Sequence, residues 1–81
     1  MSDEKPIAEG GIGQTAKVYR NRVEIKKNIF KTVAIPIKRI DKVEIQTGTT
    51  LIIYVEKDKH RIACGSKGKA EELRNAIYDN M

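Results

Sequence analysis

The residue types that carry out most enzyme chemistry are few in this chain and badly spaced for it. It has one histidine, His60, one cysteine, Cys64, and two serines, Ser2 and Ser66. His60 and Cys64 fall on one face of an extended segment, His60-Arg61-Ile62-Ala63-Cys64. At that spacing they stand about 13 Å apart along a strand, too far for one to activate the other. One His and one Cys do not supply the convergent ligand set that a metal needs. Gly65-Ser66-Lys67-Gly68-Lys69 invites comparison with a phosphate-binding loop, but Ala63 stands where that pattern requires its first glycine. A helix beginning here would attract anions, helped by Lys67 and Lys69, but a plain strand-to-helix turn that needs flexible glycines is the favoured reading. The expectation is a non-enzymatic chain with no cofactor, no metal and no small-molecule substrate.

Basic side chains are the more informative set. The net charge is +5, and residues 11–68 hold 13 basic against 5 acidic side chains. Arg20 and Arg22 flank a short turn, with Lys26 and Lys27 further along. Lys57, Lys59, His60 and Arg61 form a second cluster at another charged turn. Such a body attracts anionic partners, phospholipid or nucleic acid. Equally, Lys and Arg keep the edges of a sheet soluble and unpaired. A nucleic-acid groove would add open rings for base stacking. Tyr19 and Tyr54 are the available ones, since Phe30 and Tyr78 read as core-facing or helical.

These residues sit on a chain with room for one domain. Its 81 residues are 40% hydrophobic and 33% charged, within the globular range. Ile and Val dominate the apolar set, which favours strands. Residues 1–13 contain Pro6, Gly10, Gly11 and Gly13 and no apolar period, so they read as a flexible lead-in, with structure beginning near Gln14. Alternation then predicts a hairpin, residues 14–20 and 22–28, with Asn21 supplying a positive φ at its turn. Ile29 and Phe30 are expected to fold back on the core. Val33, Ile35 and Ile37 alternate as a third strand, which Pro36 confines to an edge or a bulge. The period slips between Ile40 and Val43, so a bend near Asp41-Lys42 is expected. Leu51 to Val55 is apolar on both faces and should lie between two strand neighbours, with a helix over one face. His60 to Cys64 is the last strand.

From Lys69 the period becomes helical, with Ala70, Leu73, Ala76, Ile77 and Met81 on one face and Glu71 and Glu72 in the first turn. The class is α+β, mainly β: a curved antiparallel sheet or partial barrel of about six strands, with one C-terminal amphipathic helix. The longest apolar run is five residues, too short for a membrane-spanning helix. Residues 1–10 are too acidic and polar for a signal peptide. A lone Cys64 in an apolar context is an ordinary buried thiol and fits a reducing, cytoplasmic compartment.

Ala16-Lys17-Val18-Tyr19, a turn, and Arg22-Val23-Glu24-Ile25 resemble the opening hairpin of bacterial pleckstrin-homology-like domains. The stretch Val33-Ala34-Ile35-Pro36-Ile37-Lys38-Arg39-Ile40-Asp41-Lys42-Val43 resembles more closely that family's phrase of isoleucine, proline and leucine followed by isoleucine and valine. The helix from Ala70 to Ile77 stands where the family places its own. The likeness covers residues 14–81. Full domains of the family have seven strands; six are legible here, the seventh being absent or lying within residues 1–13. The resemblance implies a binding or assembly module whose partners range from lipids to proteins. In its lipid-binding members basic residues of the first hairpin hold phosphates, which by position puts Arg20, Arg22 and Lys26 forward as anion contacts. Lys57, Lys59 and Arg61 are the second candidate set. Association with protein or with a second copy through an open sheet edge ranks first. An anionic membrane ranks next and nucleic acid after it. Because Pro36 blunts one edge, the opposite edge is the expected docking site.

Overall fold

The computed structural model describes residues 5–81. Among them the strands are β1 (Ala8–Gly10), β2 (Thr15–Val18), β3 (Arg22–Asn28), β4 (Lys31–Pro36), β5 (Lys42–Gln46), β6 (Thr50–Val55) and β7 (Asp58–Ala63), followed by helix α1 (Lys67–Asp79). Every strand pairs antiparallel with its neighbour in sequence. The ladder breaks once. The result is the expected mainly β, antiparallel fold with one C-terminal helix, its strands divided between a four-stranded sheet, β1-β2-β3-β4, and a three-stranded sheet, β5-β6-β7.

The break has a local cause. Pro36 ends β4, and Ile37–Arg39 forms a single 3-10 turn closed by the Ile40 N–H on the Ile37 carbonyl at 3.1 Å. Ile37, expected as a strand residue, therefore begins this turn yet stays buried. The bend lies just before Asp41-Lys42 rather than at it. It rotates the chain so that Ile40 and Val43 face the same core as Ile35 and Ile37.

The seventh strand falls inside the stretch read as a lead-in. The Ile7 N–H donates to the Val18 carbonyl at 2.7 Å, and Ala8 to Gly10 then pair with Val18 to Ala16. Beyond β1, the Ile12 N–H donates to the Ala63 carbonyl at 2.7 Å, tying this segment to the other sheet. Structure thus begins before Gln14. The part of that reading that concerns residues 1–4 lies outside the described residues.

Side chains from both sheets and the helix meet in one core. It includes Val18, Val23, Ile25, Leu51, Ile53, Ile62, Leu73 and Ile77. As expected, β6 lies between two neighbours. Its Leu51 and Ile53 enter the core, while Ile52, only 1% exposed, is covered on the opposite face. On α1 the expected stripe of Ala70, Leu73, Ala76 and Ile77 is buried, whereas Met81 is exposed. The helix starts at Lys67, so Glu71 and Glu72 lie in its second turn, where they pair with Lys67 and Lys69. The first turn is capped instead by Ser66, whose Oγ accepts from the Lys69 N–H at 3.2 Å. Gly10 lets the helix come down on β1, since a Cβ there would lie 2.7 Å from the Lys69 methylenes.

Two further expectations are corrected. Left-handed backbone among non-glycine residues falls at Thr47 and Glu56, in the β5–β6 and β6–β7 turns, and not at Asn21. Ile29 and Phe30 do not fold back. They are the two residues of the β3–β4 turn, 79% and 92% exposed, and no described element covers them. The Phe30 N–H donates to Asn28 Oδ1 at 2.8 Å, which closes the turn locally.

Candidate functional site

The first hairpin does not present its basic residues as a free cluster. Arg22 Nε donates to Glu24 Oε2 at 2.7 Å, Nη1 donates to Asn21 Oδ1 at 3.0 Å, and the guanidinium lies 4.1 Å from the centre of the Tyr19 ring. Two residues apart on one strand share a face, so Arg22 and Glu24 meet without any turn of the chain. Arg20 is exposed on the turn itself. Lys26 is four residues from Arg22, or about 13 Å along β3. It borders instead a shallow depression of about 300 Å³ with Thr15, Lys17, Glu24 and Thr32. On this outer face the strand register sets Thr15, Lys26 and Thr32 in one row, with Glu9, Lys17 and Glu24 in the next. Acidic and basic groups thus alternate there.

The second cluster divides across β7. Lys59 and Arg61 are exposed on the outer face, beside Tyr54 and Ile52 in the register. Lys42 completes the first of those rows. It pairs with Glu44 at 2.9 Å and lies 4.8 Å from the Tyr54 ring centre. The hydrogen bond and charge of Glu44 hold the Lys42 ammonium above its usual value. Lys57 occupies the β6–β7 turn. The segment between the sheets is tied at one end to the first hairpin turn and at the other to the β6–β7 turn. The Ile37 N–H donates to the Asn21 carbonyl at 3.0 Å, and the Glu56 N–H donates to Asp41 Oδ2 at 2.7 Å. Lys38 and Arg39, both exposed, lie on this segment between the two tethers. Neither is among the sequence-based candidates; the signal was a basic pair two residues beyond a strand-ending proline.

Tyr19 is buried under Arg22, and Lys42 covers a face of Tyr54, so neither ring offers an open stacking platform.

His60 and Cys64 both turn inward but into separate surroundings. The Cys64 thiol is buried and donates to the Ile62 carbonyl at 3.6 Å, and burial raises its pKa above the ordinary value. It is held as a neutral thiol. His60 Nδ1 is buried and, among the described residues, has no hydrogen-bond partner. Desolvation and then the nearby Lys27 lower its pKa, against an opposing pull from Asp58. Among the described residues no three His, Cys, Asp or Glu side chains converge as a metal-binding group.

The sheet edges differ sharply in how they are covered. β1 is three residues long and lies under α1. On β5 the Tyr78 hydroxyl both donates to the Val43 carbonyl at 2.7 Å and accepts from the Val43 N–H at 3.1 Å. Tyr78, read from the sequence as core-facing or helical, thus sits 43% exposed with its phenol closing an edge. The edge opposite Pro36, expected as the docking site, is β1, a three-residue strand against α1 that offers far less backbone than β4. On β7 the bond from the Cys64 N–H to the Thr49 carbonyl sets the alternation, so Lys59, Arg61 and Ala63 direct their backbone groups outward. The Ala63 carbonyl is taken by Ile12, and charged side chains guard the other two. On β4 the Ile37–Asn21 bond sets the alternation likewise, and Thr32 and Ala34 point their N–H and C=O groups away from β3. Among the described residues no backbone group reaches them.

The chain matches no protein-family model, no curated protein and no solved structure. No described helix is long and apolar enough to cross a membrane.

Proposed function

We propose that this chain is a non-catalytic, pleckstrin-homology-like binding and assembly module of the bacterial type, acting in the cytoplasm, and that it associates with a second copy of itself through β4. The likeness of Val33 to Val43 supports the family, as does the order of four strands, three strands and a closing helix. The buried, unpaired Cys64 supports the compartment. The observation that carries the association is the open row of backbone groups at Thr32 and Ala34, on a six-residue edge with a single charged side chain, Lys31.

An antiparallel copy set two-fold about Val33 would place Thr32 opposite the partner's Ala34, and each such pair exchanges both of its hydrogen bonds. Pairing of this kind rests on backbone contacts and survives salt. The test is mass against concentration by analytical ultracentrifugation, for the intact chain and for Ala34→Pro. The Ala34 N–H makes no bond within the chain, so proline removes the intermolecular donor and spares the ladder to β3. A dimer that dissociates on dilution and is lost in Ala34→Pro is the expected outcome. A chain that stays monomeric at every concentration, or a dimer unaffected by the substitution, would sink the proposal. Lipid binding through Arg20, Arg22 and Lys26 has less support, because Arg22 is engaged with Glu24 and the three do not converge.

A further inference from the structure

The β3–β4 turn shows an arrangement that neither the edge nor the first hairpin accounts for. Both of its turn residues are apolar, and both are among the most exposed large hydrophobic side chains described, Ile29 at 79% and Phe30 at 92%. Around them stand Lys26, Lys27 and Lys31, all exposed. From Lys26 to Thr32 the hairpin carries no acidic residue. Among the described residues no carboxylate lies within ion-pairing distance of these lysines.

We propose that this tip is an insertion point for an anionic lipid bilayer. Ile29 and Phe30 would enter the boundary between headgroups and acyl chains, while the three lysines contact the phosphates. Size and shape select this occupant over a protein. Two side chains at the end of a hairpin bury far less than the ~800 Å² per partner of a stable protein interface, and a projecting tip would need a matching pocket. A bilayer needs none. Its interfacial region takes up Phe and Ile, and its anionic headgroups attract lysines within a few ångströms of the surface. The long lysine stems can lie along the inserted apolar surface with their ammonium groups held at the phosphates. The tip is also closed in advance by the Asn28–Phe30 hydrogen bond, so little ordering opposes insertion. This surface is distinct from the Thr32 and Ala34 backbone row, and each can be removed without the other.

The experiment is co-sedimentation of the intact chain with phosphatidylcholine vesicles, with and without phosphatidylserine, at physiological salt. Phe30→Trp is followed alongside by fluorescence. The expected result is pelleting with the phosphatidylserine vesicles alone, with a blue shift of the introduced indole on binding. Phe30→Ser with Ile29→Ser should weaken partitioning by at least ~10-fold, from the apolar area lost. Lys27→Glu with Lys31→Glu should abolish it. Arg20→Ala should leave it unchanged. No pelleting would overturn the proposal, as would equal pelleting with neutral vesicles. So would binding that survives the serine substitutions and is lost in Arg20→Ala, which would place the lipid contact on the first hairpin. The substituted residues are exposed, and unchanged circular dichroism separates lost binding from lost folding.

Discussion

At the scale of single residues, His60 shows how one buried nitrogen couples stability to pH. Its ring turns inward beside Lys27, and its Nδ1 lacks a partner among the described residues, so the protonated form is disfavoured in the folded state. The folded pKa therefore lies below the ordinary value of 6.5. Above that value both states are neutral at His60 and the group costs nothing. As pH falls below it, the unfolded chain takes up the proton first and stability declines. Urea unfolding should therefore show a midpoint that drops between pH 6.5 and the onset of carboxylate titration. His60→Gln should flatten that drop. A midpoint independent of pH over the same interval would mean that water already solvates the ring. The Arg22–Glu24 pair illustrates the opposite limit. Arg22 and Glu24 stand two residues apart on one face of β3, so the alternation that makes the strand also supplies Arg22 with an internal carboxylate.

At the scale of elements, the decisive contact is between α1 and β5. The Tyr78 hydroxyl answers both outward groups of Val43, across 35 positions of sequence. A helix laid beside an edge strand would ordinarily leave that strand's backbone open, and here one phenol closes it at Val43, the second residue of β5. Tyr78→Phe keeps the ring and removes both bonds, which should lower unfolding stability by about 1–2 kcal/mol in urea titration. An unchanged midpoint would show that water replaces the phenol at no cost. Helix periodicity revealed which residues of α1 are buried, because a 3.6-residue stripe is a local pattern. It did not reveal Tyr78's partner, since the residue sits beside the stripe and its role depends on where β5 passes. The same limit hid β1, which is held by backbone pairing and offers just one buried apolar side chain, Ala8.

At the scale of the whole molecule, the constraint is size. A chain of 81 residues has a stability of roughly 4–12 kcal/mol to divide among two sheets and a helix. Leu73, fully buried where α1 meets the sheets, should lose about 3 kcal/mol on Leu73→Ala, a large share of that total. If thermal unfolding moved by less than a degree or two, the helix would have to be dispensable to the core. Much of this architecture was determined by the sequence alone: the β2–β3 hairpin, the central place of β6 and the buried stripe of α1 all follow from apolar periods read within ten or so residues. Those periods act through local geometry, since a strand or a helix must bury whichever face its own repeat makes apolar. Tertiary structure alone decided that Pro36 and the following 3-10 turn split the strands into two sheets, that Ile29 and Phe30 project, and that β4 keeps an open edge while β1 lies against α1 and β5 is closed at Val43 by Tyr78. Whether a side chain or a backbone group meets a partner or water is set by segments that are distant in sequence and brought near only by packing. No local period records that.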